Sequence, residues 1–200
     1  MRGRGFLISI EGLDRSGKTT QSRLLVNSLR RMGYEAIYTA EPSVGEIGHF
    51  IRRHILQRRQ RIPAVIEAVL FAADRVDHVK NVIKPMLRKG KIIVLDRYIY
   101  SSLAYQGAAG LDLEWLMKIN RFAPIPDLSI YIDVPLRVLA RRVRRRRSVM
   151  EYPRIQREVR KVYMRLIMEG KIIPVDGNRS IKEVADEILR IVLDKLAELA

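Results

Sequence analysis

Gly12-Leu13-Asp14-Arg15-Ser16-Gly17-Lys18-Thr19 spells G-x-x-x-x-G-K-T, and each fixed position has a chemical task if the ligand is a polyphosphate. The glycines let successive backbone N–H groups converge on phosphate oxygens, Lys18 neutralises the β and γ phosphates, and Thr19 offers a hydroxyl to Mg2+. The segment follows the apolar run FLISIE and opens a helical pattern, TTQSRLLVNSLRRM. Bound phosphates would therefore also meet the positive end of a helix. A glycine turn that merely caps a helix would show the same letters, but strand before and helix after favour an ATP-binding stretch from Gly12 through Leu13, Ser16 and Gly17 to Thr20. Asp96 closes the run KIIVLD. Taken alone it could cap the following helix; beside a phosphate loop, a carboxylate at a neighbouring strand end holds Mg2+ directly or through water. Thr19 and Asp96 are the candidate metal residues.

These groups must be carried by elements that bring them together. Short β-branched runs, FLISI (6–10), EAIYT (35–39), KIIVLD (91–96), LSIYIDV (128–134) and KIIPVD (171–176), alternate with helix-period stretches at about 18–32, 46–60, 64–89, 112–122, 135–147 and 151–169. A final stretch has apolar residues at 181, 184, 185, 188, 189, 192, 193, 196 and 199, one stripe of a helix. Near-continuous apolar strands between helices predict an α/β fold, a five-stranded parallel sheet flanked by helices. In such sheets ligands bind beyond the carboxyl ends of the strands, where these motifs fall.

The chain's 200 residues suit one domain, 1–200. A hydrophobic fraction of 48% excludes disorder as the main state, and no apolar run approaches the roughly 20 residues of a membrane span. The absence of cysteine excludes disulfides and thiolate chemistry. The start MRGRGFLISIEG is too short in apolar residues for a secretory signal, so a cytoplasmic protein is expected. Few Asn and Gln with abundant Arg and Glu hint at a thermophile. The 38 Lys+Arg against 22 Asp+Glu leave a net charge of +16, which calls for an anionic partner. That charge is concentrated: twelve Lys or Arg and two Glu lie between Arg137 and Arg165, and five arginines crowd 52–61.

EGLDRSGKTTQ, TAEPS, VLFAADRVDHV and LDRYIYSSLAYQG follow one another in the order and spacing seen in thymidylate kinases. The similarity runs on through IPDLSIYIDVPLRVLARR to PVDGNRSIKEV. The chain resembles that family over nearly its whole length. The resemblance implies transfer of the ATP γ-phosphoryl group to dTMP, giving dTDP and ADP in dTTP biosynthesis, with Mg2+ as cofactor. It implies that Arg15, Lys18, Arg97 and Asp14 are catalytic, with Arg97 on the dTMP 5′-phosphate and Asp14 at the sugar 3′-hydroxyl or orienting the arginines. It places Phe71 against thymine and Arg75 as a donor to it, one helical turn apart, with Glu41, Ser102, Tyr105 and Gln106 completing the dTMP site and Tyr105 excluding a 2′-hydroxyl. Arg141 or Arg142 would lie against adenine, a lid would span about 142–152 within the arginine-rich run 137–147, and the loop around Asp176, Gly177 and Asn178 would close the adenine pocket. A homodimer is also implied, with no membrane or specific nucleic-acid partner.

The residue chemistry suits that reaction, because phosphoryl transfer asks mainly for alignment and charge neutralisation, and guanidinium forks match phosphate oxygens. One departure stands out. Many bacterial relatives read TREPGGT where this chain has TAEPSVG, so Ala40 replaces a basic residue near the acceptor phosphate. Arg52 or Arg53, from the following helix, could supply the missing charge. Two other readings are a kinase for another nucleoside monophosphate such as dUMP, and a nucleic-acid-stimulated ATPase supported by net charge.

Overall fold

The structure is a computed structural model that describes residues 5–58, 60–142 and 148–198. Strands β1 (Phe6–Gly12), β2 (Ala36–Ala40), β3 (Ile92–Asp96), β4 (Leu128–Asp133) and β5 (Ile173–Asp176) form one sheet in the order β2-β3-β1-β4-β5. All neighbours are parallel. β1 and β3 are buried along their whole length, which explains why their sequences run apolar instead of alternating. β5 is an edge strand and carries Pro174, tolerated there because an edge residue need not donate to a second neighbour.

The helices are α1 (Lys18–Arg31), α2 (Glu46–Phe50), α3 (Ala64–His78), α4 (Lys84–Arg88), α5 (Ile99–Gly107), α6 (Leu113–Ile119), α7 (Leu136–Arg142), α8 (Pro153–Met168) and α9 (Ile181–Ala197). From β1 the chain crosses to the far edge at β2, whereas the path from β2 through β3 and β4 to β5 runs the other way. Right-handed crossovers in opposite directions place their helices on opposite faces. Accordingly α1 packs with α9 on one side, while α5 packs with α3, α6 and α8 on the other. The reversal between β1 and β3 opens a crevice at their carboxyl ends, and Ile10 pairs with Asp96 there.

Most predicted boundaries hold within a few residues. The stretch 64–89 is helical to Arg88, with a π-helical turn at Val79–Ile83; Pro85 just beyond it lacks the N–H that an unbroken α-helix would use. β5 starts two residues later than predicted because Gly170, with φ +70°, turns the chain out of α8 first. The helix α5 is not marked by any periodicity. Eight of its nine residues are buried, and a helix covered all round has no polar stripe.

Candidate active site

The phosphate loop joins β1 to α1. Gly12 ends β1 with φ +150°, and an added Cβ would meet Ser16 Oγ at 2.5 Å and the Ile132 carbonyl oxygen at 3.1 Å; the turn closes only around glycine. Gly17, at φ +101°, is the N-cap of α1. Leu13 sends its side chain into the core, so its contribution is backbone: its carbonyl accepts from Lys18 Nζ at 2.6 Å. Burial, with Arg97 nearby as a second cation, lowers the Lys18 ammonium to about 8. Ser16 Oγ is buried with no hydrogen-bond partner among the described residues, while Thr20 is exposed on the first turn of α1.

Thr19 Oγ1 donates to Asp96 Oδ2, and the Tyr38 hydroxyl approaches the same carboxylate oxygen at 3.4 Å. The strand end and the helix start thus present a hydroxyl and a carboxylate side by side.

Among the described residues, the non-glycine positions with positive φ are Arg15 (66°) and Arg97 (69°). Left-handed backbone at such residues costs about 1–2 kcal/mol, and it occurs here at the two arginines that the resemblance makes catalytic. Arg97 Nη2 donates to Asp14 Oδ1, and its guanidinium lies 5.0 Å from the Tyr105 ring centre. Arg15 reaches the opposite way, pairing through Nη2 with Glu151 at 2.9 Å. Its backbone oxygen accepts from Arg142 Nη1 at 3.2 Å. Arg141 is exposed on α7. Of the predicted lid, 143–147 lies outside the described residues, as does Arg59 of the basic stretch 52–61; Ser148, Met150 and Glu151 line the cavity described next. At the far end Gly177 N donates to the Asp133 carbonyl at 2.8 Å.

One cavity of about 580 Å3 opens beside the loop, lined by Asp14, Thr19 and Arg97 together with Glu41, Phe71, Arg75, Ser102, Tyr105 and Gln106. All seven residues predicted for the acceptor therefore face one space. Arg75 is almost wholly buried. It donates to Glu41 Oε2 through Nε at 2.9 Å, to the Tyr98 carbonyl at 3.2 Å, to Ser102 Oγ at 3.0 Å and to Asn120 Oδ1. Glu41 meets His78 Nδ1 at 3.2 Å, and His78 Nε2 meets Thr39 Oγ1 at 2.8 Å. The Glu41–Pro42 peptide is cis. Arg52 lines the cavity and donates to the carbonyls of Ser43 at 2.5 Å and Pro42 at 2.6 Å; Arg53 is exposed.

Several neighbours of these residues were not singled out in the sequence. Gln156, on α8, accepts from Asp14 N at 3.1 Å and donates to Asp14 Oδ2 at 2.9 Å and to the Tyr105 hydroxyl at 3.3 Å. Glu11, fully buried at the end of β1, accepts from Tyr98 N, Ser101 Oγ and the Tyr163 hydroxyl. Burial raises its carboxyl above the ordinary value and also pushes the Tyr105 phenol up. Glu67, Arg61 and Asn120 likewise enter from other elements.

The family model for thymidylate kinase matches residues 10–188. The chain belongs to the thymidylate kinase family. Its relatives in that family include a probable thymidylate kinase of Pyrococcus abyssi, 44% identical over an alignment of 204 positions that covers 98% of this chain and all of that protein. A probable thymidylate kinase of Pyrococcus horikoshii is equally similar, with the same coverage. One from Thermococcus gammatolerans is 42% identical over 199 residues, covering 94% of this chain and 96% of its own. Family membership makes the chain an ATP-dependent phosphotransferase and does not favour the nucleic-acid-stimulated ATPase. No helix among the described residues is long and apolar enough to cross a membrane.

Proposed function

We propose that the protein transfers the γ-phosphoryl group of ATP to dTMP, giving dTDP and ADP. The observation that carries this reading is the shared cavity, in which phosphate-loop residues and the seven acceptor residues face the same space. Its volume lies within the usual range for small-molecule sites.

In this reading the ATP phosphates lie on the loop from Gly12 to Thr20, with Lys18 as the fixed positive charge at the β and γ groups. Arg97, held by Asp14 and stacked on Tyr105, receives the dTMP 5′-phosphate. Arg15 swings from Glu151 to the transferring group, and Arg141 or Arg142 lies beside adenine. Phe71 stacks on the base while Arg75, one turn later, keeps an Nη1 hydrogen beyond its bond to Asn120 for a base carbonyl. Tyr105 walls the sugar and disfavours a 2′-hydroxyl. Arg52 stands where the charge absent at Ala40 is needed.

Thr19 and Asp96 are hard oxygen donors already in contact, and they fit Mg2+, which takes one or two protein ligands and keeps several waters and phosphate oxygens. When bound, the ion supplies charge neutralisation at the β and γ phosphates.

A homodimer accompanies this reading. Val65, Ile66, Val69 and Val76 leave the outer face of α3 half-exposed, an apolar stripe on the helix that also carries Phe71 and Arg75. A second copy of the chain would bury it, which light scattering after gel filtration tests. The cytoplasm, where ATP and nucleoside monophosphates are pooled, suits the reaction.

The test is a panel of acceptors (dTMP, dUMP, UMP, CMP, GMP and thymidine) with ATP and Mg2+, following ADP release. The highest kcat/KM is expected for dTMP. ADP release that ignores every monophosphate but responds to DNA would overturn the proposal.

A further inference from the structure

Arg97 is gripped by the end of β1 through two successive backbone groups. Its own N–H donates to the Ile10 carbonyl at 3.1 Å, and the next N–H, of Tyr98, donates to Glu11 Oε1 at 3.1 Å. Between those two bonds lies the left-handed backbone of Arg97, with φ 69°. A conformation of that kind persists only where the surrounding structure over-determines it. The other carboxylate oxygen of Glu11 accepts from Ser101 Oγ at 2.6 Å and from the Tyr163 hydroxyl at 3.1 Å. Ser101 Oγ in turn accepts from Arg97 Nη1 at 3.4 Å. Glu11 thus reaches Arg97 twice, at the backbone that follows it and, through one hydroxyl, at its guanidinium.

Glu11 is fully buried and does not line the acceptor cavity, so it acts on a ligand only through its neighbours. Its place is the start of α5. Tyr98 is the N-cap of that helix, and its own side chain makes no capping bond. In a capping box the carboxylate three residues on takes the N-cap N–H. Here the third residue is Ser101, and a carboxylate from β1 takes both the N-cap N–H and that serine. Negative charge at a helix start is also favoured by the helix dipole. A buried carboxylate is costly unless donors surround it, and two of the three donors on Glu11 come from the segment that carries Arg97.

We propose that Glu11 is a positioning residue for Arg97, holding its left-handed backbone and, through Ser101, its guanidinium where the acceptor's 5′-phosphate binds. The inference rests on the proposed assignment of Arg97 to that phosphate. It separates two halves of the acceptor. Phe71 and Arg75 reach the base from α3, and none of the three groups bonded to Glu11 belongs to that helix. Loss of Glu11 should therefore weaken the hold on the phosphate and spare the nucleoside.

The experiment measures calorimetric Kd for dTMP and for thymidine, which lacks the phosphate, in the wild type, Glu11→Gln, Arg97→Ala, the double variant and Ser101→Ala, with thermal melts to check folding. An amide at position 11 keeps one acceptor oxygen and turns an NH2 toward groups that donate, so one of the two holds is lost. Glu11→Gln should weaken dTMP binding about tenfold, as expected of a displaced charge-assisted contact, while the thymidine Kd stays within about twofold. In the Arg97→Ala background the same change should alter the dTMP Kd less than about twofold, since Glu11 acts through Arg97. Ser101→Ala cuts only the side-chain route; it should weaken dTMP binding about threefold with thymidine again spared, and it serves if Glu11→Gln does not fold. An unchanged dTMP Kd in folded Glu11→Gln, or in folded Ser101→Ala where Glu11→Gln does not fold, would overturn the assignment. So would a parallel loss of thymidine binding, which would mean that Glu11 shapes α5 as a whole, or additive effects in the double variant. Wild-type protein inert toward dTMP would instead overturn the underlying reading, and this inference with it.

Discussion

Replacing Glu41 by Gln keeps the side-chain shape and removes the negative half of a buried pair. The Arg75 and Glu41 side chains are 2% and 3% exposed, with Nη2 and Oε2 2.7 Å apart. Removing one partner of such a pair costs about 3–5 kcal/mol, because the other charge stays buried. Asn120, Ser102 and the Tyr98 carbonyl still receive Arg75, and the new amide oxygen can accept one bond, which places Glu41→Gln near the lower end, at about 3 kcal/mol. For a chain of this size each kcal/mol shifts the melting temperature by about 2–4 °C, so a fall of about 6–12 °C is expected. Scanning calorimetry at several scan rates measures it, alongside the dTMP KM, which should rise because Glu41 lines the acceptor cavity. A Glu41→Leu/Arg75→Met double variant should recover part of the lost stability, since it leaves no unpaired buried charge. A Glu41→Gln melting temperature within about 2 °C of wild type, or a double variant less stable than the two single losses combined, would refute the reasoning.

Three further outcomes follow from the geometry. Arg15→Ala should lower kcat about 10³-fold while ATP Kd stays within about threefold, because an arginine at the transferring group acts on the transition state; titrating ATP beside ADP-release kinetics checks it, and wild-type turnover removes Arg15 from the mechanism. Lys18 titrates near 8 in the free protein, and phosphates beside it must raise that value, so binding takes up a proton at higher pH. ATP Kd should be flat below about pH 7 and rise toward about tenfold per unit between about pH 8 and 10, and a calorimetric Kd flat to pH 9.5 would count against it. Arg52→Ala should raise the dTMP KM at least about tenfold, as expected of a lost charge-assisted contact, whereas exposed Arg53→Ala should change it less than about twofold; equal effects would mean that neither one replaces the charge absent at Ala40.

Much of this protein was readable along the chain. The phosphate loop and Asp96-Arg97 are contiguous, so their geometry follows from local backbone conformation, whereas the Phe71/Arg75 pair, one helical turn apart, was singled out by the family resemblance. The central strands β1, β3 and β4 were visible because a parallel sheet buried on both faces demands unbroken apolar runs, and the less buried edge strands β2 and β5 showed through their short β-branched runs. By contrast, α5 was missed because burial on every side erased its period.

What the chain by itself determined is therefore the set of local devices and the face of the sheet on which they gather. What only the tertiary structure decided is which distant groups complete them. Gln156 meets Asp14 across 142 positions, Glu67 meets Gln106 across 39, and Glu11 meets Tyr163 across 152. The last two join polar groups in the interior, where water cannot satisfy them and a partner from another element must; in the first, buried Gln156 reaches a half-buried Asp14. That demand is set by packing, which no local spacing encodes.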